Sequence, residues 1–248
     1  MTGPGPAMRG AGLAAASVIL SAGPVWAQTF SLDLGEGEGL FTGRIIQLIA
    51  LITVLSLAPS ILVVATSFTR IAVVLSLLRS AIGIQQTPPN AVMVSLALFL
   101  TAFIMAPTLE RAYEEGVVPL IDNEISEEEA FERVVTPFRG FMLANVRDKD
   151  LQLFLDIDGT EIVTRAETPL KALVPAFVIS ELRRAFEIAF LVFVPFIIID
   201  MTVASVLMSM GMMMLPPVII SLPFKLIFFV LLDGWYLVAG SLIQSFNG

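Results

Sequence analysis

Residues 195–225 read PFIIIDMTVASVLMSMGMMMLPPVIISLPFK, and two features of this stretch decide the fold. It is apolar enough for a bilayer, yet Gly211 and the pair Pro216-Pro217 interrupt it. Neither signal continues a helix, so Phe186 to Met210 and Val218 to Phe246 read as the two arms of one hairpin. Between the breakers lie Met212, Met213 and Met214, three of the six methionines between residues 201 and 214. Non-helical backbone at that depth survives only where protein or a cavity surrounds it, which makes the loop central. Methionine is unbranched and polarizable, so a ring of such loops would close a pore yet yield to varied passing chains. A methionine patch filling gaps in a helical core is the competing reading.

Working outward, the charge map repeats the pattern. From Ile45 to Leu109 the charged side chains are Arg70 and Arg79, and from Ala185 to Gly248 they are Glu187, Asp200, Lys225 and Asp233. Glu110 to Lys171 holds 15 acids and 7 bases, a net −8 that equals the charge of the whole 248-residue chain. Two apolar blocks therefore flank one acidic, water-facing segment. Each block is long enough for two crossings at about 20 residues per crossing. In the first block the expected helices are Ile45 to Phe68 and Ala91 to Pro107 with its flanks, and the turn is Gln85-Gln86-Thr87-Pro88-Pro89-Asn90.

Composition agrees and excludes several chemistries. The chain is 56% hydrophobic and 15% charged, against about 25% charged for a soluble domain, and its mean hydropathy is +0.89. With no cysteine there is no disulfide framework or thiolate metal site, and with no histidine there is no Ser-His-Asp triad or zincin motif. The acidic balance lacks the footprint of a nucleic-acid binder, and no Gly-Lys-Ser/Thr phosphate loop is present. No enzyme, cofactor or metal is expected.

Arg9 ahead of the run Ala11 to Leu20, with Val25-Trp26-Ala27 before Gln28, fits a secretory signal. The expected organisation is a signal peptide at 1–27, a flexible extracytoplasmic lead at 28–44, a first helical hairpin at 45–109, an acidic extracytoplasmic segment at 110–171 and a second hairpin with the methionine loop at 172–248. This is an all-α membrane protein with two long helical hairpins flanking a small acidic helical domain. The acidic segment is expected outside, with the inner ends of the hairpins near Arg70 and Arg79 and near the break before Lys225. Arg183 and Arg184 on the outer side give the positive-inside rule only weak agreement.

Within the acidic segment, Ser126 followed by Glu129 predicts a capping box, and Thr136-Pro137 and Thr168-Pro169 predict two further helix starts. Phe138, Phe141 and Met142 have the spacing of one buried helical face. Leu151 to Leu155 followed by Asp156-Ile157-Asp158-Gly159-Thr160 is similar to the strand and nucleophile loop of haloacid-dehalogenase-type phosphatases. About 60 polar residues cannot build the α/β domain that chemistry needs, so a plain Asp-Gly turn is the favoured reading. Asp200 deep in an apolar block must face protein, a cavity or a cation. The favoured role is an inter-helix or inter-subunit bond, and the alternative is a proton-coupling carboxylate. With Glu187, that alternative would make the protein a proton-coupled small-solute transporter.

Several segments also resemble the FliP family of flagellar biosynthesis proteins: Ser67-Phe68-Thr69-Arg70-Ile71 leading into Leu75 to Arg79, the Gln85 to Asn90 turn, Phe177-Val178-Ile179-Ser180-Glu181-Leu182, Asp200 with Ala204 to Leu215, Ser221 to Lys225, and Asp233-Gly234-Trp235. The resemblance spans about Ile45 to Trp235. It implies a subunit of the flagellar type III export gate in the bacterial inner membrane at the basal body. In that family several FliP copies join FliQ and FliR, alongside other membrane proteins of the export apparatus. Together they form a cone-like helical assembly around a pore, much of it raised above the membrane plane. Unfolded rod, hook and filament proteins pass through. Carried onto this chain, Met212, Met213 and Met214 become the pore gasket, and Arg70, Glu181, Asp200 and Lys225 become intersubunit polar contacts.

Overall fold

The segment between the two expected crossings of the first block forms a helix at the core of residues 54–248. Phe68–Ile82 is helix α1, and Ile71, Val74, Leu75, Leu78, Ala81 and Ile82 along it are all buried. That i, i+3, i+4, i+7 stripe is the mark of a helix facing a core, and each fully buried Leu or Ile contributes about 1.5–3 kcal/mol. Arg70 and Arg79 disguised it by suggesting inner ends of membrane helices. These observations come from a computed structural model, which describes residues 45–46, 48–49, 52–53, 56, 63–84, 87–159, 164–212 and 215–246.

The chain divides into two compact units, Met1–Thr53 and Val54–Gly248. In the first unit the described residues, 45–46, 48–49 and 52–53, are helical with Ile46, Ile49 and Ile52 exposed. In the second, Val63 and Val64 are helical and the chain turns at Ala65 to Ser67, so a helix to Phe68 ends a turn early. The expected signal peptide lies outside the described residues.

The remaining elements are α2 (Asn90–Ala112), a π-helix (Tyr113–Val117), α3 (Val118–Ile121), α4 (Glu127–Asn145), α5 (Asp148–Asp158), a 3-10 turn (Arg165–Glu167), α6 (Leu170–Ser209), α7 (Pro217–Leu231) and α8 (Gly234–Gln244). Among the described residues every regular element is helical. Within the described residues two stretches are long and apolar enough to cross a membrane: Asn90–Ile121 and Leu170–Ser209. The bent pair α7 and α8, at 62° to one another, makes a third if taken as one span. At 1.5 Å per residue the 40-residue α6 is about 60 Å long, twice the hydrocarbon thickness.

Three expectations are corrected here. α6 starts at Leu170 rather than Phe186 and runs through the boundary placed at 171/172. It does so because Pro175 stands only in its second turn, while Ala172, Leu173, Ala176 and Phe177 bury its first turns against the acidic segment. The Val218 to Phe246 arm is not one helix, because Asp233 adopts a left-handed φ of 51° and splits it. Pro137 does not start a new helix: α4 continues through it, with Pro137 buried and the Thr136 hydroxyl bonded to the Glu132 carbonyl at 2.7 Å. Leu151 to Leu155 lies within α5, and the Asp-Gly turn falls where Gly159 is the left-handed C-cap of that helix with φ 65°.

The capping box at Ser126 is half formed. The Glu129 N–H donates to Ser126 Oγ at 3.3 Å, while the Glu129 carboxylate accepts from Arg133 at 2.6 Å. Two buried clusters share α6. One joins α1 to Met93 and Ala97 of α2, Ala185 and Phe196 of α6, Phe229 of α7, and Val238 and Leu242 of α8. The other packs Met142, Val146, Leu151 and Leu155 against the start of α6. The acidic segment is therefore not closed on itself, and the Phe141 face it was expected to bury meets Phe177 of α6, ring centroids 5.9 Å apart.

Candidate functional site

The long hairpin α6–α7–α8 leaves the acidic segment, turns at the methionines and returns. Its two ends differ. At the returning end, Arg70 of α1 lies wholly buried and uses every donor it has. Its Nε and Nη2 donate to the two carboxylate oxygens of Glu181 at 2.8 and 2.5 Å, a bidentate fork. Nη2 also reaches Asn145 Oδ1 at 3.4 Å, and Nη1 donates to Ser245 O and Ser245 Oγ at 2.9 Å each. The guanidinium carbon stands 3.5 Å from the centroid of Phe246, whose ring stacks on Phe141. Arg70 and Glu181 side chains are 0% exposed. One side chain thus binds α1, α4, α6 and the segment after α8, and it does so without an unpaired N–H.

Midway along the hairpin, Lys225 Nζ of α7 donates to Asp200 Oδ2 of α6 at 2.6 Å and to the Ala81 carbonyl at 3.2 Å. That carbonyl belongs to the last turn of α1, where acceptors lack helical partners and the helix dipole favours a cation. Ser221 Oγ donates to the other Asp200 oxygen at 2.5 Å. Here burial is lopsided: the Lys225 side chain is 5% exposed and that of Asp200 33%.

The methionine end is shaped by Gly211. Its φ of 75° is left-handed, its N–H donates to Met208 O, and the next N–H, of Met212, donates to Leu207 O, both at 3.0 Å. This pair of bonds is a Schellman motif, which stops α6 and turns Met212 out of the helical path. The chain resumes at Pro216, with Pro217 as the first residue of α7. Met212 is half-buried; Met213 and Met214 lie outside the described residues. Below this end, α6 and α7 enclose an apolar groove of about 460 Å³. At the bend before α8, a Cβ on Gly234 would stand 2.2 Å from the Phe229 ring, and that ring meets Trp235 edge-on at 5.4 Å.

Of the polar residues singled out from sequence, the structure brings Arg70 to Glu181 and Asp200 to Lys225, each pair between helices of one chain. Glu187 is an exposed i,i+4 partner of Arg183. For Asn145, Ser245, Phe246 and Ser221 the sequence marks no polar role, since each is a common residue type whose value comes from a partner 21 to 176 positions away. Further along the acidic segment, Asp150 is enclosed by Arg147, at 2.8 Å to each oxygen, and by the Ser180 hydroxyl at 2.7 Å. Burial alone would raise its carboxyl, but the bonds from Ser180 and Arg147 and the charges of Arg147 and Arg183 hold it below the usual carboxylate value.

Comparison with known proteins matches residues 51–242 to the FliP family model. The flagellar biosynthetic protein FliP of Caulobacter vibrioides is 59% identical over 235 residues, which is 94% of this chain and 88% of that protein. Those of Bacillus subtilis and Aquifex aeolicus are 54% and 49% identical, over 81% and 93% of this chain and 91% and 97% of their own lengths. The family model matches most of the chain, on a scaffold whose described residues include up to three apolar spans, and the conclusion is plain: the chain belongs to the FliP family of flagellar biosynthetic proteins.

Proposed function

We propose that this chain is one stave of the flagellar protein-export gate. Several copies surround a pore with FliQ and FliR, and unfolded rod, hook and filament proteins pass through it across the inner membrane. The observation that carries the reading is the Schellman stop at Gly211, which holds Met212 out of the helix at the tip of an otherwise apolar hairpin. Many large apolar side chains of α6 and α7 are exposed on the isolated chain, among them Phe190, Leu191, Met201, Ile219, Val230 and Leu231. A surface of that kind needs lipid or neighbouring helices. In this reading Met212, Met213 and Met214 of each copy meet at the axis as the gasket, and residues 110–171 face outside. Asp200 keeps enough exposure to touch a neighbouring copy, while Arg70, Glu181 and Lys225 fix the helices that form the interface.

The transporter alternative loses support at its own residues. Asp200 is tied to Lys225 and Ser221, and Glu187 sits in an exposed surface pair, so neither is a free carboxylate in a cavity. The test uses the absence of native cysteine. Met213→Cys in assembled complexes should give disulfide-linked dimers in membranes and should crosslink to a stalled export substrate. Normal assembly with neither product contradicts the gasket.

A further inference from the structure

Four arginines gather where α6 meets the acidic segment, and three of them are spoken for. Arg70 is paired with Glu181, Arg147 with Asp150 and Arg183 with Glu187. The fourth, Arg184, is half-buried, and no hydrogen bond or ion pair joins it to any of the described residues. It stands close enough to act on the charges of Arg70 and Glu181, yet Glu181 gives both its oxygens to Arg70. Four cations thus face three carboxylates, and one positive charge is left over in a chain whose net charge is −8.

Helix length sets the level of that cation. At about 60 Å, α6 is twice a hydrocarbon core, so about half of it must stand outside one. Past Glu187, the 22 residues of 188–209 carry a single charge, Asp200, which is tied to Lys225. That run is about 33 Å long, close to one hydrocarbon thickness, and Phe190, Leu191, Ile198 and Met201 along it are exposed. The returning arm marks the same level. Lys225 beside Asp200 and Phe229 beside Phe196 keep one register, which brings Asp233 level with Val192, and the exposed Trp235 and Tyr236 follow at the bend. Tryptophan and tyrosine favour the boundary between membrane and water. Arg184 lies one turn beyond Ile188, about 6 Å further out, at the depth of the lipid phosphates.

We propose that Arg184 is the docking point of an anionic phospholipid in the leaflet next to the acidic segment. Its guanidinium donates paired N–H bonds to the headgroup phosphate, and the acyl chains lie along the exposed stripe of α6 beneath. The guanidinium fork matches a phosphate, and a cation with no acceptor inside its own chain takes one from outside. The apolar side chains directly below make the source a lipid rather than a free anion. The inference goes beyond the gate reading and needs only that residues 188–209 lie in a bilayer.

The test is native mass spectrometry of the full-length chain co-expressed with FliQ and FliR and reconstituted in nanodiscs of equal phosphatidylglycerol and phosphatidylcholine. Arg184→Gln should lower the phosphatidylglycerol retained per copy at least threefold, and Arg184→Lys less than twofold. Lys149→Gln, which removes an exposed cation of the acidic segment, should change nothing. Arg184→Thr serves the same comparison if Arg184→Gln fails to assemble. Equal retention by Arg184→Gln, or an equal fall with Lys149→Gln, would overturn the inference. So would displacement of the lipid by millimolar inorganic phosphate, which makes this a free-anion site, or disulfide-linked copies at Arg184→Cys, which put a neighbouring chain over it. A chain that emerges without FliQ and FliR counts against the gate reading alone, because its bound lipid is counted in the same spectrum.

Discussion

The two ends of the long hairpin are built on opposite plans. Where it returns to the acidic segment, a buried arginine spends all its donors on Glu181, Asn145 and Ser245, and both charges are sealed from water. Where it turns, the backbone is held by two hydrogen bonds at a glycine, and an apolar groove stands open beneath. A fully satisfied buried network fixes one arrangement of its helices; an unfilled groove beside a methionine permits several. The difference teaches that one end is tied in place by a satisfied polar network, while the other is held only by backbone bonds beside open apolar space.

The largest way to break this contrast is Arg70→Ala. It strands Glu181 as a buried unpaired charge and should cost about 3–5 kcal/mol, seen as loss of folded protein from membranes and a lowered melting temperature in detergent. Arg70→Met with Glu181→Leu should recover most of that stability, since an apolar pair of similar volume removes the stranded charge. Equal damage from the single and double variants would mean that the node does not act as a pair.

Next comes the half-open clasp. Lys225→Met leaves Asp200 with Ser221 and partial access to water, so the expected loss is about 1–3 kcal/mol. Asp200→Asn, whose side chain is a third exposed, should cost less than that. Denaturant melts of the two variants beside Arg70→Ala give the ranking. An Asp200→Asn loss as large as that of Arg70→Ala would erase the distinction between the sealed and open parts.

Two glycines sharpen it further. Gly234→Ala drives a methyl into the Phe229 ring and should cost about 1–3 kcal/mol by overpacking. Gly211→Ala meets only open space, so its cost is the left-handed backbone, about 1 kcal/mol. Melting temperatures that order the two the other way would show the methionine end to be the tighter one.

The smallest expected effect is acid sensitivity near Asp150. Its folded carboxyl lies below the value of about 3.9 for an unfolded aspartate, so its contribution is fully present above that pH. The contribution is lost as the pH falls through the lower folded value. Melting between pH 6 and pH 3 should therefore fall less steeply for Asp150→Asn than for the unaltered chain, and identical slopes would remove Asp150 from the account.

Much of the framework was legible because it depends on local chemistry. Gly211 and Pro216-Pro217 end and restart the arms where their backbone preferences dictate, and the start of α4 at Ser126 follows from its cap. What escaped depends on tertiary partners. α1 was hidden because an arginine in an apolar run reads as a membrane boundary, and only a carboxylate 111 residues away makes Arg70 a core residue. The continuity of α6 past Leu170 was hidden because Pro175 and the Arg183-Arg184 pair argue locally for a boundary, which packing against Leu151 and Leu155 overrides. The mutual pairing of the four charges was likewise beyond sequence, which marked each as needing a partner but not where it lay.

The central claim is that this hairpin completes itself only among other chains, with its methionine end toward their common axis. The native mass of the complex extracted from membranes, after co-expression with FliQ and FliR, tests it most directly. The account predicts one particle holding several copies of this chain together with both partners. A solitary chain in its detergent belt, stable and unaggregated, would contradict it.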